Sequence, residues 1–272
     1  MNEDRTILWW VVGVFVLAAA GGAWWWWQSR TPAPLAPAPA AEAPAAEAAK
    51  PSAEHPIEAA PAALAALAAG EGEPLPALAE SDSALRAAIG GLVGDKALVE
   101  FFRMTGIVAK FVATVDNLPR SRVATRILPV RGPDGGFVVD GEGDERVIGV
   151  ANAGRYAAHV GLLEAVDSQR AAAVYVRFYP LLQQAYRELG YPQGQFNDRL
   201  VAVIDHLLAT PAIAGSIRVA QPKVLYEFTD PGLEARSAGQ KLLLRMGADN
   251  AARVKRKLLE FRRQITVAPP PQ

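Results

Sequence analysis

At 272 residues the chain has room for one or two domains, and its Lys and Arg match its Asp and Glu at 28 each. Overall charge therefore singles out no strongly acidic or basic partner. With no cysteine, a disulfide framework, a thiol nucleophile and a thiolate metal site are all excluded. The charge is unevenly placed, with residues 31–73 carrying six acids against one base and the region from Pro74 onward carrying 25 bases against 20 acids.

Residues 7–27 are 21 uncharged, mostly apolar positions, about 31 Å long as a helix against a hydrocarbon core of about 30 Å. Trp9 and Trp10 stand at one end and Trp24, Trp25, Trp26 and Trp27 at the other, the spacing of two membrane-interface belts. Residues 1–30 therefore read as a short tail and a single transmembrane anchor. Cleavage near Ala18–Ala20, the signal-peptide alternative, would leave four tryptophans beside a new terminus. Arg5 and Arg30 nearly cancel, but the short leading tail and the scarcity of Lys and Arg after the helix predict that the following domain is translocated.

Residues 31–73 hold 8 prolines and 19 alanines, a composition that blocks long helices and offers little apolar area. They read as an extended, solvated linker with an r.m.s. span of about 35–40 Å. From Leu75 helical periodicity takes over, and residues 74–266 read as one mainly α domain, followed by a Pro-rich tail at 267–272. Ser81 or Asp82 caps a first predicted helix, and Asp95 a second that runs to Asn117 along the stripe Leu98, Phe101, Val108, Phe111, Val115. Residues 122–130 and 137–150 are predicted to pair as one hairpin about Pro133-Asp134-Gly135. Asn152 and Ser168 cap helices reaching about Val166 and Leu189; another spans 197–208. A strand in 217–228 is broken at Pro222, and helices over 233–246 and 249–265 close the chain.

Candidate sites are sparse. His55, His159 and His206 lie too far apart in sequence for a metal-ligand pairing, and the glycines near 132–143 have no nucleotide-binding spacing, so neither a metal nor another cofactor is expected. Asp198 and Asp205 are seven residues apart on one helical face, the one spacing suited to a pair of catalytic carboxylates, although helix capping and ion pairing account for them as well. Tyr175, Tyr179 and Tyr186 share a face of a helix interrupted by Pro180, and describe either core or a groove. From Arg253 to Arg263 the last helix carries Arg253, Lys255, Arg256, Lys257, Arg262 and Arg263 against Glu260, a face suited to anionic lipid or an acidic partner. No nucleic-acid-reading motif is present, so nucleic acid is not an expected partner.

Several segments are longer than periodicity explains: Val115-Asp116-Asn117-Leu118-Pro119-Arg120, Tyr179-Pro180-Leu181, Leu189-Gly190-Tyr191-Pro192, Phe196-Asn197-Asp198-Arg199-Leu200, the run from Ile204 to Pro211, and Ser237-Ala238-Gly239-Gln240-Lys241. In these the chain resembles the bacterial membrane-anchored family catalogued as domain of unknown function 3014, from about Leu75 to Ile265. The resemblance carries no catalytic residues. It implies a Gram-negative inner-membrane setting. With the translocation that the flanking charges predict, the domain stands in the periplasm, and the expected partners beyond the bilayer itself are envelope proteins, cell wall or anionic lipid. The leading expectation is a non-enzymatic interaction domain. The alternative is an envelope glycan or peptide hydrolase using Asp198 and Asp205.

Overall fold

The computed structural model describes residues 53–57 and 74–266. The predicted anchor with its six tryptophans, most of the predicted linker and the Pro-rich tail lie outside the described residues. Among the described residues no helix is long and apolar enough to cross a membrane.

Nine α-helices and two short strand pairs make up this region: α1 (Asp82–Val93), α2 (Asp95–Phe101), α3 (Ile107–Asn117), β1 (Val139–Asp140), β2 (Val147–Ile148), α4 (Ala157–Ala165), α5 (Ser168–Glu188), α6 (Phe196–Leu208), β3 (Val219–Ala220), β4 (Glu227–Phe228), α7 (Pro231–Glu234), α8 (Ala238–Arg245) and α9 (Ala248–Ile265). Mainly helical with a small β-hairpin is thus the architecture. Four helices form its centre, α5 packing on α3 and α9, and α6 packing on the same two from the other side. Val108, Val112 and Val115 recur at helical spacing and turn one face of α3 inward, while Phe196, fully buried, fills the centre against Phe111 and Tyr186. A second, smaller apolar cluster of Val219, Phe228, Leu233 and Leu244 lies under the strand pairs.

Three differences from the sequence reading have local causes. The helix expected from Asp95 to Asn117 is two helices. Between them the chain leaves helical geometry to pair with residues 129–131, Arg103 N–H bonding Pro129 O at 2.8 Å and Arg131 N–H bonding Phe101 O at 2.8 Å. The chain re-enters at Gly106, whose φ of +60° suits glycine. Asp82, read as a cap of its own helix, instead accepts from the N–H groups of Gly106 at 2.7 Å and Ile107 at 3.1 Å. It satisfies the open start of α3 from a neighbouring helix.

The predicted hairpin is also re-registered. Residues near 130 are taken by α2, so β1 pairs with β2 around a turn at 141–146, where a Cβ on Gly141 (φ +82°) would lie 2.8 Å from Glu145 O. Residues 217–228 fold as a second antiparallel pair, β3 with β4, rather than one broken strand. Finally, the helix expected over 233–246 restarts at Ser237, whose hydroxyl accepts from Gln240 N–H at 3.2 Å. At α5 the cap is Asp167, accepting from Arg170 N–H at 2.8 Å, and not Ser168. Pro180 stays inside a single helix, on its exposed face.

Gly239 marks the tightest crossing. Its N–H bonds Leu118 O at 3.0 Å, and an added Cβ would lie 2.6 Å from a Leu207 methyl and 3.2 Å from Leu118 O. Gly239→Ala is expected to cost about 1–3 kcal/mol through overpacking, measured as a lowered denaturation midpoint. An unchanged midpoint would mean that α8 can move away from α3 at no cost.

Candidate functional site

The first residues of α6 gather chain from four directions. Asn197, fully buried, accepts from the Tyr175 hydroxyl at 3.0 Å and donates to Ile265 O at 3.1 Å and His55 O at 2.8 Å. Burial pushes the Tyr175 hydroxyl well above its ordinary pKa, with Tyr179 and Asp198 adding to the rise, so it stays a proton donor to Asn197. Asp198 accepts from the main-chain N–H groups of Glu54 at 3.1 Å and His55 at 2.7 Å. Residues 53–57, read as solvated linker, thus lie against the domain as a short segment that bends at Glu54 and His55. Ala53, His55 and Ile57 are partly buried while Glu54 and Pro56 are exposed, and Ile57 packs on the main core.

The neighbouring residue faces the other way. Arg199 donates to Asp116 Oδ1 from Nε at 3.1 Å and to Asp116 O from Nη2 at 2.8 Å. Arg120 meets Asp116 Oδ2 at 2.7 Å, and the Tyr191 hydroxyl donates to the same oxygen at 3.3 Å. Asp116 is only 2% exposed, so its carboxylate depends on these partners in place of water. One turn of α6 therefore holds a peptide segment through Asn197 and Asp198 and ties down the end of α3 through Arg199.

The site residues expected from sequence fall out as follows. Asp198 is occupied by main-chain N–H groups, and Asp205 forms a two-point pair with Arg262 at 2.6 and 2.9 Å. Each carboxylate has a structural partner. Tyr175 and Tyr186 are 5% and 6% exposed and belong to the core; Tyr179, half-buried, donates to Gln183 at 2.9 Å. Burial places Tyr175 and Tyr186 in the core, and the hydroxyls of Tyr175 and Tyr179 bond within the helical bundle.

On α9 the basic face is largely neutralised. Arg253 and Arg256 meet Glu164, Lys257 meets Glu260 at 3.2 Å, and Lys255 donates to Thr210 O. The Arg253 hydrogen bond holds the Glu164 carboxyl below its ordinary range. That pair's contribution is complete above the range and fades as pH falls through the lowered value. Glu164 comes from α4 and Asp205 from α6, which a reading of α9 alone could not weigh.

Cations without an acidic partner among the described residues collect elsewhere. Arg86, Arg103, Lys110 and Arg131 line an open cleft of about 430 Å³ that has no acidic lining residue. They are scattered over 46 positions of sequence, so no local charge run announced them.

Fold and site together define a helical-bundle domain that grips a stretch of its own preceding chain. The chain belongs to the protein family of unknown function DUF3014, whose sequence profile matches residues 107–262. No curated protein and no solved structure matches it. Most of the segments that carried the resemblance meet around α6: the end of α3, the Tyr191 turn, α6 itself and the start of α8, where His206 Nε2 lies 2.8 Å from Ser237 Oγ.

Proposed function

We propose that this protein is a single-pass inner-membrane tether that presents a helical interaction domain to the periplasm and binds a cell-envelope component there. The observation that carries the reading is the peptide seat at the start of α6. Asn197 and Asp198 make three hydrogen bonds to the main chain of residues 53–57, so the domain already holds one short segment of chain by its backbone groups. Residues 7–27 supply the anchor length and the tryptophan belts, and the basic cleft gives an acidic partner a surface to meet.

Photo-crosslinking of the full-length chain in intact cells, followed by purification under denaturing conditions, tests the reading. A specific envelope protein or cell-wall fragment should be recovered; recovery of the chain alone counts against it. A phosphatase fused to the C-terminus should be active only if the domain is translocated, and activity confined to a cytoplasmic reporter would overturn the stated orientation.

The seat itself is testable apart from any partner. Asp198→Ala should raise hydrogen exchange of the Glu54 and His55 amides by about tenfold or more, with only a small change in global stability. If their exchange matches the wild-type chain, the segment is not held by this carboxylate.

A further inference from the structure

An apolar cleft lies away from the α6 site, in the gap between the smaller apolar cluster and the start of α9. Its volume is about 430 Å³, within the range of small-ligand sites. Ile148, Ile213 and Ile217 form one wall; Leu243, Leu244 and Ala251 form the other. The lining contains no aromatic and no acidic side chain. It therefore has no ring to stack a planar ligand and no carboxylate to receive a cation. Val150, 88% exposed, stands at the rim as an apolar edge facing solvent.

Lys255 supplies the polar contact. Its ammonium donates one hydrogen bond to Thr210 O, leaving two N–H donors, and it forms no ion pair with an acid among the described residues. Desolvation alone lowers its pKa, which is what a charge without a counter-charge does in an apolar wall. Its neighbours on α9 differ: Arg253, Arg256, Lys257 and Arg262 all pair with carboxylates. Arg245, the other cation of the lining, is already engaged, donating to Tyr226 O at 3.2 Å and lying over the Phe137 and Phe228 rings.

We propose that this cleft binds an aliphatic carboxylate of fatty-acid type, its chain against the isoleucine and leucine walls and its carboxylate on Lys255 Nζ. The aliphatic lining selects an alkyl chain over an aromatic group. A single ammonium with two free donors matches one carboxylate. Burying that carboxylate beside Lys255 also supplies the counter-charge that the cleft lacks. The inference stands independently of the tether reading, since it uses neither the anchor nor the peptide seat.

The test uses the full-length chain in membranes and a dodecanoate probe carrying an alkyl diazirine, with adducts located by mass spectrometry. Adducts should fall on peptides from 148–153, 210–217 and 243–255. Dodecanoate should compete with them, whereas dodecanol, which has the chain without the charge, should compete about tenfold less well. Lys255→Gln should lower adduct yield about tenfold and Lys255→Arg should retain most of it. Ala252→Trp, from an exposed position that lines the cleft, should block labelling by filling it while leaving the ammonium in place. Adducts placed elsewhere overturn the proposal. So does labelling unchanged in both Lys255→Gln and Ala252→Trp, or equal competition by dodecanol.

Discussion

Replacing Asp116 with alanine should destabilise the domain by about 3 kcal/mol, a fall in thermal midpoint of roughly 6–12 °C for a domain of this size. The carboxylate is buried, and its removal strands Arg199, the Tyr191 hydroxyl and Arg120 together. The three partners do not lose equally. Arg120 is 56% exposed and can rehydrate where it stands, while Arg199 is 30% exposed and is pinned a second time by Asp116 O. Arg199→Ala is therefore expected to cost more than Arg120→Ala, an ordering that urea denaturation of the two single variants would check. A loss below about 1 kcal/mol for Asp116→Ala would show that water replaces the arginines freely, and the tie between α3 and α6 would have to be abandoned.

Asn197→Ala should cost about 2–4 kcal/mol and release residues 53–57 in the same step. One side chain here serves three segments: α5 through Tyr175, the end of α9 through Ile265 O, and the preceding chain through His55 O. The alanine variant leaves the Tyr175 hydroxyl buried with no acceptor at that position. Adding Tyr175→Phe removes the stranded group and should recover part of the loss, about 1 kcal/mol, in a double-mutant cycle. Strict additivity of the two substitutions would contradict the coupling.

The helical character of residues 74–266 could be read from periodicity because the stripe on α3 and the capped start near 167 are local patterns. The break between α2 and α3 could not, because its cause is Asp82 and residues 129–131, which lie at a distance in sequence. The hairpin forms but with other partners, for the same reason: once residues near 130 pair with the end of α2, the partner of β1 has to come from further along. At the candidate site, Asp116 read as the end of a helix and Asn197 as the start of one, since nothing within either segment shows that both are buried. Composition hid residues 53–57, although Ile57 is the only isoleucine or valine between 31 and 73. The basic face of α9 was legible as charge but not as a surface, because Glu164 and Asp205 come from other helices.

The reach of Asp82 across to Gly106 and Ile107 decides where a fragment of this chain can begin. A piece cut to the family-matched span would start at Ile107 with three or four unbonded N–H groups of α3 facing outward. It would also lose Leu85 and Leu98, both buried in the main core. Starting at Pro74 restores those, but leaves Asp198 and Asn197 without the main chain they hold and Ile57 out of its place. A piece that keeps the bundle's contacts among the described residues starts by Ala53, well inside what composition marks as spacer. Part of what connects the domain to the rest of the chain is thus also part of its fold.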